Sequence, residues 1–430
     1  MQRDYDLIVY GSSGFTGVYV VRELLECIRD QKLSMKWAIG GREPNKMRKC
    51  LERSIADAKM EQFNADSVQM IVADASDLES LKSMTRRTKV LINCVGPFRY
   101  SGHNVVSACI ETNTNYVDIC GEPQFLEEIQ LKHFEEARDK NIYLVPSCGF
   151  DSIPCDIGVN FLKNRFDGVL DSVQSFLFVE SQGKTSVNAT TFDCIVDGYA
   201  NADKLKSMRK QLFNQLFGGI SKFRTKYPLK KKSLFKYIGP IANGYCVPFP
   251  GSDRSVVRRT QMHNYLLYKE RPVDFDAFII VPSLLLLLYL FLAMLIFIVF
   301  IPFKCGRKLM HLFPELFTLG VFKRSGPTRE EVDACSFKMV FKGQGWVENF
   351  EDPLKQLDHP PNKRIYGCVS GGNPGYTVTA ALVIQSAFAI LNESEKMPST
   401  GGVYTPGTAF RNTNLIANIE KRGLKFEVLE

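Results

Sequence analysis

The chain has 430 residues, of which 45% are hydrophobic and 23% are charged. This balance is typical of folded globular proteins and argues against intrinsic disorder, collagen and coiled coil, while the length allows two to three domains. The net charge of +8 is concentrated in residues 201–240, where eleven Lys and Arg side chains meet one acidic residue and the local net charge is +10. The positive charge is therefore a local feature rather than a property of the whole surface.

Twelve cysteines are scattered between Cys27 and Cys368 without a C-x-x-C pair, and the five histidines show no zinc-ligand spacing. We therefore predict buried free thiols in a reducing compartment, and no metal site. The amino terminus already has the pattern of a strand and shows neither a signal-peptide nor a transit-peptide pattern. Cytosolic synthesis without export is expected.

In chain order, short apolar runs alternate with helix-patterned segments over residues 1–165. Strands are predicted at residues 6–10, 37–40, 68–73, 90–95, 115–119 and 142–146. Helices are predicted at residues 18–29, 47–58, 78–85, 105–111 and 125–140. This alternation is typical of βαβ units with a parallel sheet. Residues 1–165 are therefore interpreted as a Rossmann-type, doubly wound nucleotide-binding domain of the α/β class.

A G-x-x-G-x-x-G pattern follows the first strand and opens the first helix, which is the context that a dinucleotide-binding turn requires. Gly11 allows the tight turn, Gly14 lets the backbone approach a pyrophosphate, and Gly17 lets the helix lie close to the strand. The helix N-terminus adds N–H groups and a partial positive charge. The residues predicted to bind the cofactor here are Gly11, Ser12, Ser13, Gly14, Phe15, Thr16 and Gly17. A glycine-rich turn without a ligand is the alternative.

The second strand ends in two glycines followed by Arg42, at the position where an NAD-selecting enzyme usually places Asp or Glu. A guanidinium group suits a 2′-phosphate, so Arg42 favours NADP(H). NAD(H) is the alternative cofactor if Glu43 turns inward. Asp74, at the end of the third strand, is predicted either to bind the adenine amino group or to cap the next helix.

Three further loops follow the carboxyl ends of strands, where parallel sheets bind their ligands. Gly96 and Pro97 are predicted to pass under the nicotinamide ribose. Candidates for the substrate side are Arg99, Tyr100, Asp118, Glu122, Cys148 and Asp151. The catalytic residue is left open among Tyr100, Asp118, Cys148 and Asp151. The structural alternative is that Asp118 holds its loop through backbone hydrogen bonds and that Asp151 caps the helix beginning near Pro154.

The second half has the pattern of an α+β region. Strands are predicted at residues 171–180, 336–341, 365–369 and 425–429, and an amphipathic helix at residues 376–391. We interpret residues 166–276 and 304–430 as two parts of a substrate domain. The basic stretch 201–240 is either a mobile solvated loop or a segment that attracts anionic lipid. No aromatic–basic module accompanies it, so nucleic acid is not expected as a partner.

Residues 277–303 contain no charged side chain, and residues 284–301 are apolar without interruption. Such a run reaches the lower limit for spanning a bilayer, and a soluble helix would show a polar face. We therefore predict an insert that contacts a membrane or lipid, with a buried core helix as the alternative. A single crossing would separate residues 304–430 from the nucleotide domain. Because both parts of the substrate domain should lie on one side of the membrane, we favour a hairpin, or a segment lying in a bilayer interface or a droplet monolayer, over a single crossing.

The motifs at residues 11–17, 40–42, 93–98, 118–122 and 149–154 together resemble the saccharopine dehydrogenase family, and more closely its saccharopine dehydrogenase-like oxidoreductase branch. The apolar insert and residues 401–406 extend the resemblance to nearly the whole chain. The resemblance implies an NADP(H)- or NAD(H)-linked oxidoreductase with a Rossmann domain, an α+β second domain and an association with lipid droplets or membranes.

By the same resemblance, the glycines and Arg42 bind the cofactor and the loop 149–154 faces the substrate. That loop departs from true saccharopine reductases because it lacks their histidine, so saccharopine is not the expected substrate. The branch is also similar to bacterial trans-acting enoyl reductases, which act on lipid intermediates.

The leading hypothesis is a cytosol-facing reductase at a lipid droplet or membrane surface, using NADPH to reduce a C=C, C=O or C=N bond in a lipophilic small molecule. The proton would come from Tyr100, Asp118, Cys148 or water. The alternative is a nucleotide-binding structural or sensor protein of lipid droplets without turnover. The sequence leaves the substrate, the reaction direction and the oligomeric state open.

Overall fold

The computed structural model describes residues 3–183, 186–229, 234–239 and 243–429. The chain divides into two units, one made of residues 1–150 and 374–422 and the other of residues 151–373 and 423–430. Three of the basic residues in the stretch 201–240, Lys230, Lys231 and Lys232, lie outside the described residues.

Strands and helices alternate through residues 1–150. They are β1 (Tyr5–Tyr10), α1 (Phe15–Gln31), β2 (Trp37–Gly41), α2 (Pro44–Asp57), β3 (Gln69–Val72), α3 (Leu78–Thr85), β4 (Thr88–Asn93), α4 (Phe98–Glu111), β5 (Asn115–Asp118), α5 (Pro123–Asp139) and β6 (Tyr143–Val145).

The middle of the chain has longer strands and less regular spacing. Its elements are α6 (Ile153–Arg165), β7 (Val169–Ser181), β8 (Val187–Asn188), α7 (Ala189–Ala200), α8 (Ala202–Phe217), β9 (Phe235–Ile238), β10 (Asn243–Pro248), α9 (Asp253–Tyr268), β11 (Asp274–Val281), α10 (Leu284–Phe300), α11 (Lys304–Leu312), α12 (Pro314–Phe317), β12 (Phe322–Lys323), α13 (Arg329–Asp333), β13 (Cys335–Trp346) and β14 (Lys363–Gly371). The chain ends with α14 (Thr379–Asn392), β15 (Gly402–Val403), α15 (Pro406–Ala409), α16 (Leu415–Glu420) and β16 (Lys425–Leu429).

The sheet of the first unit is parallel and has the strand order β3-β2-β1-β4-β5-β6-β15. This order confirms the predicted doubly wound sheet, and it reverses between β1 and β4, where such folds open a ligand crevice. Both strands at that point are apolar and fully enclosed, as shown by Leu7, Ile8, Leu91 and Ile92 with no exposed surface. The carboxyl ends of β1 and β4 are therefore carried by a rigid core.

The predicted domain boundaries differ from those in the structure. The segment 374–422 belongs to the first unit and not to the second part of a substrate domain, whereas α6 belongs to the second unit. The helix predicted at residues 376–391 is not amphipathic, because α14 packs against α1 on one side and against β4 and β5 on the other. The stretch Pro374–Asn392 is long and apolar enough to span a membrane, but 78% of its most apolar 18-residue window is buried in the protein, as expected for a core helix.

A four-residue ion-pair cluster fixes the end of that segment to α1. Arg422 donates to both carboxylate oxygens of Glu23, at 2.6 and 3.1 Å, and also contacts Glu26 and Asp30. Glu23 is buried, and burial raises its pKa despite the arginine. Glu23 depends on this partner, because its carboxylate alone would be a buried, uncompensated charge.

The second unit is built on a largely antiparallel sheet with the order β16-β14-β13-β7-β11-β10-β9. Its one parallel neighbour pair among the described strands is β7 and β11. Apolar side chains of the central strands, including Phe176, Phe278 and Val340, form a buried cluster on this sheet. The predicted α+β character of this region is thus observed.

The prediction of an apolar insert at residues 277–303 is wrong for residues 277–281. Residues 277–281 complete β11, where they pair with β7 and β10 and are almost all buried. They are uncharged because they lie inside the sheet, not because they contact lipid. After Pro282, the hydroxyl of Ser283 accepts the N–H of Leu286 and so begins α10.

Helix α10 lies along the surface of the second unit with most of its side chains exposed. Its partly covered residues recur at helical spacing, as at Tyr289, Ala293 and Phe297. The Phe297 ring lies 5.6 Å from that of Phe192, and the Phe300 ring lies 5.2 Å from that of Phe317. None of the α10 side chains is fully buried. The helix is therefore neither a core helix nor a hairpin, but one helix attached along a single stripe.

The basic stretch 201–240 is more ordered than the mobile solvated loop that was one of its two interpretations. Within the described residues it contains α8, a 3-10 turn and β9 rather than a solvated loop. Lys204, Lys206 and Lys210 are exposed on α8, whereas Leu212 and Phe213 of the same helix are buried. An apolar face thus attaches the helix, and its basic side chains project into solvent.

Candidate functional site

The glycine turn between β1 and α1 has the geometry that its spacing predicts. Gly11 has a φ of +82°, and a Cβ there would lie 2.6 Å from Val95 of the β4 loop. A Cβ at Gly17 would overlap the carbonyl oxygen of Gly11. The Gly11 N–H donates to Gly40 O at 2.9 Å, and the Gly14 N–H returns to Gly11 O at 3.0 Å. Neither Gly11 nor Gly17 can be replaced without moving this turn.

The turn fits the phosphates of a dinucleotide. Gly14 is the N-cap of α1 and brings no side chain to its first turn, and both Ser13 and Gly14 are exposed. The N–H groups of Phe15, Thr16 and Gly17 are then directed outward from the helix end, where the dipole favours anions. Ser12 is fully buried and packs inward, with its hydroxyl 3.4 Å from Gly40 O. The backbone of residues 13–17 would therefore hold the phosphates, whereas the Ser12 side chain supports the turn.

Arg42, the residue predicted to bind a 2′-phosphate, lies on the surface at the end of β2. The Glu43 carboxylate, whose inward turn would favour NAD(H), lies on the surface 2.6 Å from the ammonium group of Lys46. Asp74 accepts both the N–H and the hydroxyl of Ser76, at 2.8 and 2.7 Å. These hydrogen bonds lower the pKa of Asp74, and the charge of Arg42 adds to the effect.

The helix-cap alternative for Asp74 is wrong. The N-cap of α3 is Asp77, whose carboxylate accepts the N–H groups of Glu79 and Ser80. Asp74 instead closes a tight turn just after β3. This strand pairs with β2, the strand that Arg42 follows. Its role toward an adenine remains a prediction.

The loop after β4 is held by a buried ion pair. Gly96 is exposed and Pro97 is the N-cap of α4. Glu122 accepts the N–H of Phe98 at 2.6 Å and the Nε of Arg99 at 2.8 Å. Both side chains of this pair are at least nine-tenths buried. Arg99 and Glu122 therefore fix the start of α4 to the loop after β5, and with it the position of Gly96 and Pro97.

Asp118 is the centre of a buried hydrogen-bond network. Its Oδ1 accepts the N–H groups of Cys120 and Ser147, at 2.9 and 2.7 Å, and its Oδ2 accepts the Tyr116 hydroxyl at 2.7 Å. Tyr116 in turn accepts the amide of Asn93 at 3.1 Å. Burial raises the pKa of Asp118 to about 6, although the three donors act in the opposite direction. This arrangement matches the structural alternative, in which Asp118 holds the loops after β5 and β6.

Cys148 is fully buried in the first unit. Its thiol lies 3.1 Å from Val145 O, and burial raises its pKa well above the usual range. A thiol in this position has little thiolate character and no exposed surface. All twelve cysteines are free thiols, and only Cys305 is exposed, as the sequence predicts for most of them.

Tyr100 and Asp151 are the two catalytic candidates that retain exposed surface. Tyr100 is 68% exposed in the first turn of α4, close in sequence to Gly96 and Pro97. Asp151 does not cap α6 through its carboxylate, since the N-cap is Ser152, but its carbonyl oxygen accepts the hydroxyl of Ser252 at 2.7 Å. Burial raises the pKa of the Asp151 carboxyl to about 6.

A second carboxyl near Asp151 was not predicted from the sequence. Asp253 begins α9 and is 2% exposed, and burial together with the charge of Asp151 raises its pKa well above the usual range. The two residues are 102 positions apart in the sequence, and no local pattern links them. Among the described residues, no group of three or more His, Cys, Asp or Glu side chains has the arrangement of a metal site.

The parallel sheet, its switch point and the glycine turn define a Rossmann-type, dinucleotide-binding protein. The family model of the saccharopine dehydrogenase NADP binding domain matches residues 7–145. A human saccharopine dehydrogenase-like oxidoreductase is 36% identical over 432 residues, covering 100% of this chain and 98% of its own length. The chain belongs to this oxidoreductase family, which confirms the resemblance and the preference for NADP(H).

Two further similarities extend the comparison. A Caenorhabditis elegans protein named lipid droplet localized protein is 33% identical over 428 residues, covering 99% of this chain and 98% of its own length. The solved structure of apo saccharopine dehydrogenase (L-Glu forming) from Saccharomyces cerevisiae has a TM-score of 0.55 at 14% identity, covering 99% of this chain and all of that one. At this identity the structural similarity establishes the shared fold.

Proposed function

We propose that the protein is an NADPH-dependent reductase that acts on a lipophilic substrate at the surface of a lipid droplet or membrane. The observation that carries this proposal is the exposed apolar helix α10, which belongs to the same chain as an NADP-binding turn. Soluble proteins rarely leave an apolar surface of this extent in water. The name of the nematode relative supports the same location.

The manner of attachment follows from how α10 is held. Its seventeen residues span about 25 Å, which is less than the roughly 30 Å hydrocarbon core of a bilayer. It follows β11 directly, and its other end is covered by Phe192 and Met310 of the same unit. With both ends on one folded unit, the helix lies in the plane of the interface and does not cross it.

The residues after α10 supply the polar side of this attachment. Lys304 and Lys308 are exposed on α11, and Arg307 donates to Ile301 O at 2.6 Å. Leu312 and Leu316 are 59% and 70% exposed beside them. Basic side chains at this position would meet anionic headgroups, while the leucines extend the apolar surface of α10.

For the chemistry, a bound nicotinamide nucleotide supplies the hydride, and the protein must hold the substrate carbon within about 3–3.5 Å of it. The proton then has to come from a group that reaches solvent or substrate. We propose Tyr100 for this role, because Asp118 and Cys148 are enclosed and committed to the protein. Water is the alternative donor. Replacement of Tyr100 by Phe should lower kcat while leaving the NADPH dissociation constant unchanged, and an unchanged kcat would assign the proton to water or Asp151.

The test uses the full chain with lipid droplets or vesicles in a flotation gradient, followed by NADPH oxidation in the presence of a cellular lipid extract. The proposal expects the protein in the floating fraction and lipid-dependent loss of NADPH absorbance. Recovery of all the protein in the soluble fraction, or in mitochondria after cell fractionation, would contradict the location. Cofactor binding without oxidation on any extract would contradict the activity.

A second candidate function is supported by one observation. Two of the predicted proton donors, Asp118 and Cys148, are buried. Residues that only support the fold would also be present in a nucleotide-binding protein without catalytic activity. A sensor or structural protein of lipid droplets would bind NADPH and lipid surfaces without hydride transfer. It predicts that NADPH changes the affinity for vesicles in calorimetric titrations, while no extract supports turnover.

A further inference from the structure

A short segment from near the end of the chain lies against the nucleotide turn of the first unit. Residues Pro374–Val378 form a single π-helical turn directly before α14. Such turns are rare and are found frequently at functional sites. This one, called the 374–378 turn below, packs against α1 although the two are far apart in the sequence. No motif in the sequence connects it with the cofactor.

The Tyr376 side chain makes the contact between the 374–378 turn and α1. Its ring meets the Phe15 ring edge-on at a centroid distance of 4.8 Å and stacks on the Tyr19 ring at 5.4 Å. Tyr376 is 5% exposed. Phe15 and Tyr19 are four residues apart, so their side chains lie on one face of α1. The Tyr376 ring therefore holds the first turn of α1 through its side chains.

The first turn of α1 is also where the phosphates of a dinucleotide would bind. The N–H groups of Phe15, Thr16 and Gly17 lie at the helix end, where no carbonyl of the same helix is placed to accept them. The Val18 N–H closes this turn by donating to Gly14 O at 3.1 Å. Terminal turns of helices fray unless side-chain contacts hold them. The contact between Phe15 and Tyr376 supplies such a restraint.

The 374–378 turn is itself fixed to the loop after β6. The Thr379 hydroxyl donates to Pro374 O at 2.8 Å and accepts the N–H of Phe150 at 3.1 Å. A Cβ at Gly149 would lie 3.2 Å from the Thr379 methyl group, so the two segments are in close contact. The turn thus connects the loop that follows β6 with the helix that follows β1. Both lie at the carboxyl ends of parallel strands, where doubly wound folds bind their ligands.

We infer that Tyr376 is a positioning residue for NADPH, whose ring orders the first turn of α1 so that its backbone N–H groups are in place before the pyrophosphate binds. Order that exists in the free protein raises affinity, because its entropic cost is not paid on binding. The inference rests on NADPH binding by the glycine turn. It depends neither on a lipophilic substrate nor on hydride transfer.

The experiment measures the NADPH affinity of the full chain by calorimetric titration. Tyr376→Leu removes the ring and should weaken binding at least fivefold, whereas Tyr376→Phe keeps the ring and should retain most of the affinity. The matched control is Tyr404→Leu. Tyr404 is also buried and meets the Phe134 ring edge-on at 5.6 Å, but it follows β15 at the far edge of the sheet. This control should change the affinity less than twofold.

Hydrogen exchange separates a positioning role from a general loss of stability. In Tyr376→Leu without nucleotide, the amides of Val18 and Tyr19 should exchange at least fivefold faster, while the amides of β4 keep their protection. Saturating NADPH should restore most of the protection at both positions. If Tyr376→Leu fails to fold, Phe15→Leu removes the same contact from the side of α1 and should show the same loss of NADPH affinity.

Three results would overturn this inference while leaving the cofactor turn intact. The first is unchanged NADPH affinity in both Tyr376→Leu and Phe15→Leu. The second is an equal loss in Tyr376→Leu and Tyr404→Leu, which would show a general effect on the unit. The third is an equal loss in the Leu and Phe variants of Tyr376, which would assign the effect to its hydroxyl. Absence of NADPH binding by the wild-type chain would refute both the cofactor turn and the inference.

Discussion

Asp118 offers a sharp test of whether a predicted catalytic residue is in fact structural. Replacement by Ala leaves three buried donors without an acceptor, namely the N–H groups of Cys120 and Ser147 and the hydroxyl of Tyr116. Each unsatisfied buried donor costs about 1–3 kcal/mol, so with three donors the first unit should lose roughly 3–9 kcal/mol of stability. Asp118→Asn keeps an acceptor oxygen for both N–H groups and should lose less than half of that.

The pH dependence adds a second signature of the same group. Because burial raises the pKa of Asp118 to about 6, against about 3.9 in the unfolded chain, the native state holds its proton more tightly between these values. The Asp118 contribution to stability therefore falls as the pH rises from about 4 to 6, by up to roughly 3 kcal/mol, and is constant above that range. The Asn variant should lack this slope.

The assay combines denaturant unfolding from pH 4 to 7 with hydrogen exchange at the amides of residues 120 and 147. The Ala variant should show faster exchange at both positions, and the Asn variant should keep most of the protection. If Asp118→Ala folds with nearly unchanged stability and protection but loses reductase activity, the structural interpretation of Asp118 is refuted.

The remaining predictions concern the cofactor turn, the 2′-phosphate and the lipid helix. Gly17→Ala should abolish NADPH binding because its Cβ overlaps Gly11 O, while Gly219→Ala, which meets nothing within 4 Å, should bind normally in the same titration. Arg42→Gln should remove a charge-assisted contact worth about 1.5–3 kcal/mol, weakening NADPH binding tenfold or more without changing NADH binding. Equal losses for both nucleotides would contradict that role. Leu288→Glu with Leu292→Glu, both 57% exposed, should weaken vesicle binding by at least about 2 kcal/mol, or thirtyfold, in flotation. Val72→Glu, at 58% exposure in the first unit, is the matched control, and equal effects would argue against α10 as the attachment site.

The parallel sheet and the nucleotide turn were predictable because their signals are local. The three glycines follow one strand directly, and a Cβ at Gly11 or Gly17 would overlap the β4 loop or the turn itself. Arg42 likewise follows directly from the end of β2. Such features need only the strand–turn–helix context, which the sequence pattern provides.

The errors arose where tertiary contacts decide the outcome. Residues 277–281 and residues 284–300 are both apolar and uncharged, but only the first group pairs with strands β7 and β10. Helix α14 looked amphipathic, yet it is enclosed from both sides by α1 and by the sheet. The role of Asp118 depends on Ser147, which is 29 positions away, and Asp253 is brought near Asp151 only by the packing of α6 against α9.

In the function that we propose, one chain joins an NADPH-dependent reductase to a lipid surface. It is tested most directly by incubating the droplet-bound protein with NADPH deuterated at C4 of the nicotinamide and analysing the lipids by mass spectrometry. We expect a lipid product that has gained one deuterium with the wild-type protein and none with Gly17→Ala. Tight NADPH binding with no deuterium in any lipid would contradict it.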